Sequence, residues 1–452
     1  MTKHIKLIIL MLGVALSATA QNTNSAYFLD GHLFRYQMNP AIGNAQNFVA
    51  MPGVGNVNVS QRGTLAMTDV LYNVGGKTTT FLNPEVSASE VMGNLKNNNR
   101  TSIDLSLELI SFGFKGLKGY NTVSISTRSN AAVRVPKDLF RLLKEGASND
   151  TYDISNVNAH ADAFAEVALN HSHAISRNVR IGATLKALVG MGNLDADFNT
   201  AQLALGEDCW TATTDAKIQT NMKGFSYKTS VNDRTGHEYV SGADIDFSGV
   251  SGFGVAVDLG VVATLKDFEI SAAVLDLGMI NWSNNYVAST NGRQTFTTDR
   301  YTFNVDGDAP NNFDDELDRI GDDLSALYEL TDMGDRGSRT RMLASTINLG
   351  VKYTLPTYKA LSFGLLNTTR LQGDFTWTEF RASANYAPSR LFSMGVSAAA
   401  GTNGMGLGWM LNLHPNGFNL FAGMDYANFR LAKQGVPLSS NTAVNVGVNF
   451  PF

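Results

Sequence analysis

The twelve residues Asn441 to Phe452 place Val444, Val446, Val448, Phe450 and Phe452 on one face and Ala443, Asn445, Gly447 and Asn449 on the other. A period of two is that of a strand, not of a helix. A strand with one apolar face, ending on an aromatic residue, suits a wall between lipid and water. The alternation recurs in Val179, Ile181, Ala183, Leu185, Ala187, Val189, in Phe253 to Val261, and in Met405 to Leu413. Counted back from the C-terminus, it predicts fourteen strands: near 53–60, 103–115, 119–129, 161–173, 178–191, 253–264, 268–280, 343–354, 360–370, 374–386, 391–400, 403–413, 418–428 and 441–452. The apolar phase slips within 103–115 and 374–386, as a bulge would make it, since one extra residue exchanges the two faces. The expected fold is all-β: a closed antiparallel transmembrane β-barrel of about 14 strands.

The connections test that count. Gly116–Lys118, Ala174–Arg177, Leu265–Asp267, Leu355–Lys359, Ala387–Arg390 and His414–Gly417 are short and fall on one side. The long ones, 61–102, 130–160, 192–252, 281–342 and 429–440, fall on the other, with two short turns near 370–373 and 401–402. Short periplasmic turns and longer outer loops are the asymmetry of outer-membrane barrels. Phe114, Tyr120, Phe268, Tyr353, Tyr358, Tyr386, Phe392, Phe418 and Phe452 stand beside the short turns, as an interfacial girdle would. The ending with Phe450 and Phe452 resembles the C-terminal strand by which the barrel-assembly machinery recognises its clients. Short helices are expected in the outer loops: after the capping box Ser87–Glu90, over 137–144 behind Pro136, and from Phe313 to Leu327. The acids of that last segment, with Asp306 and Asp308, are solvated or hold a divalent cation.

Composition narrows the class. Charged residues are 17% and mean hydropathy is −0.08, yet past the N-terminus no run is long and apolar enough for a membrane helix. The first twenty residues, with Lys3 and Lys6 before an apolar run and Ala18-Thr19-Ala20, read as a signal peptide cleaved before Gln21; a membrane anchor is the alternative. This implies export, and with the barrel pattern a place in the cell outer membrane. Cys209 is the single cysteine, so no internal disulfide forms. A net charge of −5 argues against nucleic acid.

The chain then divides into 1–20, an N-terminal segment 21–52, and a barrel 53–452. The faces opposite the apolar stripes carry Asp104, Glu108, Glu166, Arg180, Lys186, Asp258, Lys352 and Arg381, a possible lumen network of paired charges or, alternatively, contacts for a solute. Gly404, Gly406 and Gly408 would make room inside. Eight strands fill a barrel and sixteen leave a channel, so fourteen lies between. Residues 21–52, with the Asn39-Pro40-Ala41 turn, could fold inward as a hatch or plug, or remain a periplasmic tail. His171 and His173 share a face without a third ligand nearby, and G-x-S-x-G and H-E-x-x-H motifs are absent. Gly75-Gly76-Lys77-Thr78 has Leu71 where a phosphate loop needs glycine. No catalytic residue, cofactor or metal is expected, and the chain is not read as an enzyme.

At Phe28-Leu29-Asp30-Gly31, Arg35 to Ala41, and Asp276-Leu277-Gly278-Met279-Ile280-Asn281-Trp282, the chain resembles an uncharacterised outer-membrane β-barrel family of Bacteroidetes. Through Asn39-Pro40-Ala41 and the strand count it is remotely similar to the FadL/TodX fatty-acid transporter barrels and the type IX secretion shuttle barrel. That resemblance implies an N-terminal hatch, and either hydrophobic solutes leaving sideways through the wall or loops holding secreted cargo. The expected function is therefore to bind or pass a small hydrophobic solute without covalent chemistry; the alternatives are a scaffold or shuttle barrel whose loops bind a secreted or surface protein, and a secreted β-sandwich. The expected partners are outer-membrane lipid, the assembly machinery, and the hydrophobic molecule or the bound protein.

Overall fold

The computed structural model describes residues 23–146, 151–205, 210–232, 236–290, 294–297, 319, 327, 329–426 and 441–452. Fourteen antiparallel strands form its wall. They are β1 (Phe48–Ala50 and Val57–Gly63), β2 (Asn98–Gly116), β3 (Gly119–Pro136), β4 (Val157–Ala174), β5 (Val179–Leu205), β6 (Gly252–Leu265) and β7 (Phe268–Trp282). The second half is β8 (Ser345–Thr354), β9 (Leu361–Leu371), β10 (Trp377–Tyr386), β11 (Phe392–Gly401), β12 (Gly404–Leu413), β13 (Asn419–Asp425) and β14 (Thr442–Pro451). Each pairs with the next, and β1 pairs with both β2 and β14, which closes the ring. Closure leaves no row of unpaired backbone groups at a sheet edge.

Side chains sort as the alternation requires. Leu365, Phe380 and Leu407 are about two-thirds exposed on the outside, while Asn58, Asp258, Arg381 and Asn445 are buried inside. The slip in 103–115 is a bulge between Glu108 and Ile110. The slip in 374–386 has another cause: a 3₁₀ turn, Gly373–Phe375, precedes β10, which pairs without interruption.

Several expected boundaries move. The first strand, placed at 53–60, is broken where that range begins. Between Ala50, opposite Asn449, and Val57, opposite Val446, six residues of β1 face two of β14. Met51, Pro52 and Val54 are exposed there, and Gly53, half-buried, holds a positive φ of 74°. β2 to β5 run well beyond the expected ends, β5 as far as Leu205. The connection 192–252 is not all loop: 210–221 pairs with the upper part of β5, and 225–231 pairs with 238–245. Within 281–342, residues 285–289 pair with 210–221 and with 331–335. The first two are hairpins between neighbouring segments, whereas the pairings of 285–289 join residues tens of positions apart, which no local period reveals.

Helices α1 (Ala88–Asn94) and α2 (Lys137–Glu145) form where expected. The Ser87 hydroxyl caps α1 by accepting from the Glu90 N–H at 3.2 Å. Together with Leu65, Phe81 and Val86, they build an apolar cluster at the long-loop end. The helix expected over 313–327, with Asp306 and Asp308, lies outside the described residues apart from Arg319 and Leu327, as do residues 1–20.

The lipid-facing reading has a direct check. Leu407 is 66% exposed near the middle of β12, so Leu407→Arg should cost about 2–4 kcal/mol in a bilayer. Reversible denaturation in lipid vesicles measures it; a change near zero, as at a water-exposed position, would contradict the placement.

Candidate lumen site

Residues 23–46 lie within the barrel. Asn24 and Ser25 donate backbone N–H bonds to the Asp425 carboxylate, at 2.7 and 3.2 Å, and the Ser25 hydroxyl lies 2.8 Å from that of Ser397. From there the segment descends, so that Gly31 sits beside His414 of the last short turn. It crosses the lumen and enters β1 at Phe48. Tyr27, Phe28, Leu29, Phe34 and Tyr36 are buried against Phe48, Met410 and Phe421.

The wall accommodates this segment with small residues. A Cβ at Gly182 would meet the Pro40 carbonyl at 2.1 Å, one at Gly260 the Asn39 side chain at 2.1 Å, and one at Gly364 the Phe28 ring at 2.2 Å. Asn39 bonds the carbonyls of Val261 and Ala272, while its own oxygen accepts the Ala41 N–H at 3.0 Å. Asn170 reaches the Pro40 carbonyl at 3.2 Å. Of the glycines expected to make room, Gly408 faces Ser25 and Gly406 faces Tyr426, whereas Gly404 meets nothing within 4 Å and opens β12 after a tight turn, with φ 107°.

The expected lumen charges are sorted into separate groups rather than one network. In the first, Lys186 lies 2.8 Å from Asp258 and 2.7 Å from Asp276, and Arg128 grips Asp276 through two bonds while reaching Glu166 at 3.0 Å. In the second, Arg381 pairs with Glu379 at 2.9 Å and Asp425 at 3.0 Å, and Arg62 pairs with Glu379 at 3.1 Å. Asp104 pairs with Arg370 at 3.1 Å. Lys352 holds Asp30 of the N-terminal segment at 2.7 Å. Glu108 accepts from Gln37 at 2.9 Å, and Gln37 in turn accepts from Asn56, at the end of the break in β1. Arg180 stands apart from these groups, against Gly43. Burying charges in such pairs offsets a desolvation cost that an isolated charge could not meet.

Arg128, Asp276 and Arg370 were not among the expected lumen residues. Arg128 follows Ser124 and Ser126 on the inward parity of β3 and was legible in that alternation. Asp276 was not, because it sits in a bulge with φ 59°, opposite the stretch between Val257 and Leu259. His171 and His173 stack at 6.0 Å, with Nδ1 atoms engaged by Asn121 and the Lys118 carbonyl. Phe450 faces outward near Phe418, and Phe452 is 72% exposed at the short-turn end.

Above the segment lie two cavities. The smaller, about 110 Å³, touches Tyr36, Gln37, Arg128, Glu166, Lys186 and Asp276. The larger, about 460 Å³, shares Arg128 and Arg370 with it. Its polar side includes His160, Asp162, Asp195 and Arg341, and its apolar side Phe164, Met342, Leu343, Leu371 and Phe375.

His32 makes the docked segment sensitive to acid. Its ring is 2% exposed and stands edge-on to Phe421 at 4.7 Å. Burial lowers its pKa from 6.5 to about 3. Asp30 is lowered as well, for a different reason: burial would raise it, but Arg35 and Lys352 outweigh burial and hold it below the ordinary carboxylate range. A released His32 therefore binds a proton at a pH where the docked one does not. Docking is unaffected above about pH 6.5 and weakens as pH falls toward 3, by about 1.4 kcal/mol per unit. Hydrogen exchange of residues 23–46, corrected for intrinsic rates, should quicken between pH 7 and 4.5, and His32→Phe should flatten that change.

A search of curated protein sequences finds no match. Among solved structures, a monoaromatic hydrocarbon channel, the TodX deltaS2S3 mutant, aligns over 97% of this chain and 98% of its own at 7% identity, with a TM-score of 0.46. The P. putida toluene transporter TodX aligns over 96% and 95% at 8% identity and a TM-score of 0.40. A Pseudomonas aeruginosa FadL homologue aligns over 96% and 98% at 10% identity and 0.38. Residues 40–425 match the family described as "Family of unknown function (DUF5723)", and the chain belongs to that family.

Proposed function

We propose that this protein is an outer-membrane barrel that binds a small hydrophobic solute and passes it sideways through its wall, without covalent chemistry, with residues 23–46 as a movable plug. The observation that carries the reading is the break in β1. The strand there sets six residues against two of β14, with Met51, Pro52 and Val54 exposed, and Asn56 at the end of the break bonds Gln37 of the plug. Displacing the plug removes the side-chain bond that ties the break to the lumen. The larger cavity offers an entry site, with an apolar side for the body of a solute and charged groups for a polar end. The apolar outer band and the short-turn, long-loop asymmetry support the outer membrane as the location.

A second reading, a barrel that holds a surface or secreted protein, is favoured by β5, which spans 27 residues and carries a paired sheet past the lumen. Under it, deletion of 225–245 would abolish capture of a partner and leave uptake unchanged.

A tether tests the first reading. In a Cys209→Ser background, Ser25→Cys with Ser397→Cys places a disulfide where the two hydroxyls now meet. Oxidation should reduce influx of a radiolabelled medium-chain fatty acid to the background of cells lacking the protein, and reduction should restore it. Deleting residues 51–54 should likewise stop influx while the barrel keeps its heat-modifiable migration. Equal influx in both redox states would remove the plug from the mechanism.

A further inference from the structure

The geometry points to a second ligand surface: the ring of short turns is a collar for the headgroups of anionic phospholipids in the leaflet facing the periplasm. Five of the six short turns carry an exposed cation, Lys118, Arg177, Lys266, Lys359 and Arg390, and the sixth carries His414. Among the described residues, none of the five forms an ion pair. The acids at this end are few: Asp267 and Glu269 are half-buried, Glu269 lies 3.9 Å from Arg35, and Asp30 is already held by Arg35 and Lys352. The collar thus runs against the charge of the whole chain, which is −5.

Charge alone would be an ordinary solvated rim, but the same five turns each expose an apolar side chain next to the cation or two residues from it. These are Leu117, Ile175, Leu265, Tyr358 and Leu391, and Leu117 is 82% exposed. In water such positions gain nothing; at a bilayer interface the apolar chain enters the acyl boundary and the cation meets phosphate. The arrangement is also continuous with the outer apolar wall, since the Phe268 and Tyr353 rings pack at 4.9 Å, tilted by 37°, directly beside the Leu265–Lys266 turn. A lipid surface satisfies both halves of this pattern, and a soluble acidic partner satisfies only the charged half.

Spin-label lipid selectivity tests it on the full chain in phosphatidylcholine bilayers, with spin-labelled phosphatidylglycerol and spin-labelled phosphatidylcholine as probes. The motionally restricted fraction at the protein surface should favour phosphatidylglycerol by about fivefold, the ratio supplied by one cation near an anionic surface. It should fall toward one at high salt. The variant Lys118→Gln, Arg177→Gln, Lys266→Gln, Lys359→Gln, Arg390→Gln should lose the preference while keeping heat-modifiable migration. A ratio of one in the wild-type protein, an insensitivity to salt, or an unchanged ratio in a folded variant overturns the assignment. Salt-sensitive retention on peptidoglycan without lipid selectivity would give the collar to that polymer and overturn it equally. No solute enters the assay, so its failure leaves the transport reading standing.

Discussion

The ring of backbone hydrogen bonds is the constraint from which the rest follows. In hydrocarbon an unpaired N–H or C=O costs several kcal/mol, so a sheet survives there only if its first strand finds its last. Here that seam is the pairing of β1 with β14 on one side and β2 on the other, and it tolerates a break. The break is stitched from both neighbours: Met51 N–H donates to Val448 C=O, Val448 N–H to Val54 C=O, and Gly53 N–H to Leu109 C=O. Extra residues are thereby carried in β1 while both neighbours stay bonded to it.

Closing the ring creates an interior that must be filled. Paired charges line the long-loop half, where acids and bases face one another beside two cavities. Residues 23–46 fill the short-turn half, with aromatic side chains against the wall. The two halves meet at shared residues: Arg381 and Asp425 hold each other and the start of the segment, and Glu108 holds Gln37. The groups that neutralise buried charge are also those that hold the segment, so its position and the lumen electrostatics are coupled.

The exterior is differentiated along its length as well. Apolar side chains cover the middle of the wall, cations ring the short turns, and long paired strands rise at the opposite end.

The strand number, the faces of most strands and the short-turn end could be read from the sequence, because alternation is a local response of the backbone to two solvents. Asp104, Glu166, Lys186, Asp258, Lys352 and Arg381 were legible as inward charges for the same reason. Their partners were not. Which base meets which acid depends on how far the strands stagger around the ring and on bulges such as those at Glu108 and Asp276, each of which reverses the parity beyond it. The glycines that admit Phe28 and the Asn39-Pro40-Ala41 turn looked like ordinary small residues until the segment lay against them. The sequence by itself determined the wall; only the tertiary structure decided what fills it, because contacts across a lumen join residues hundreds of positions apart that no local period relates.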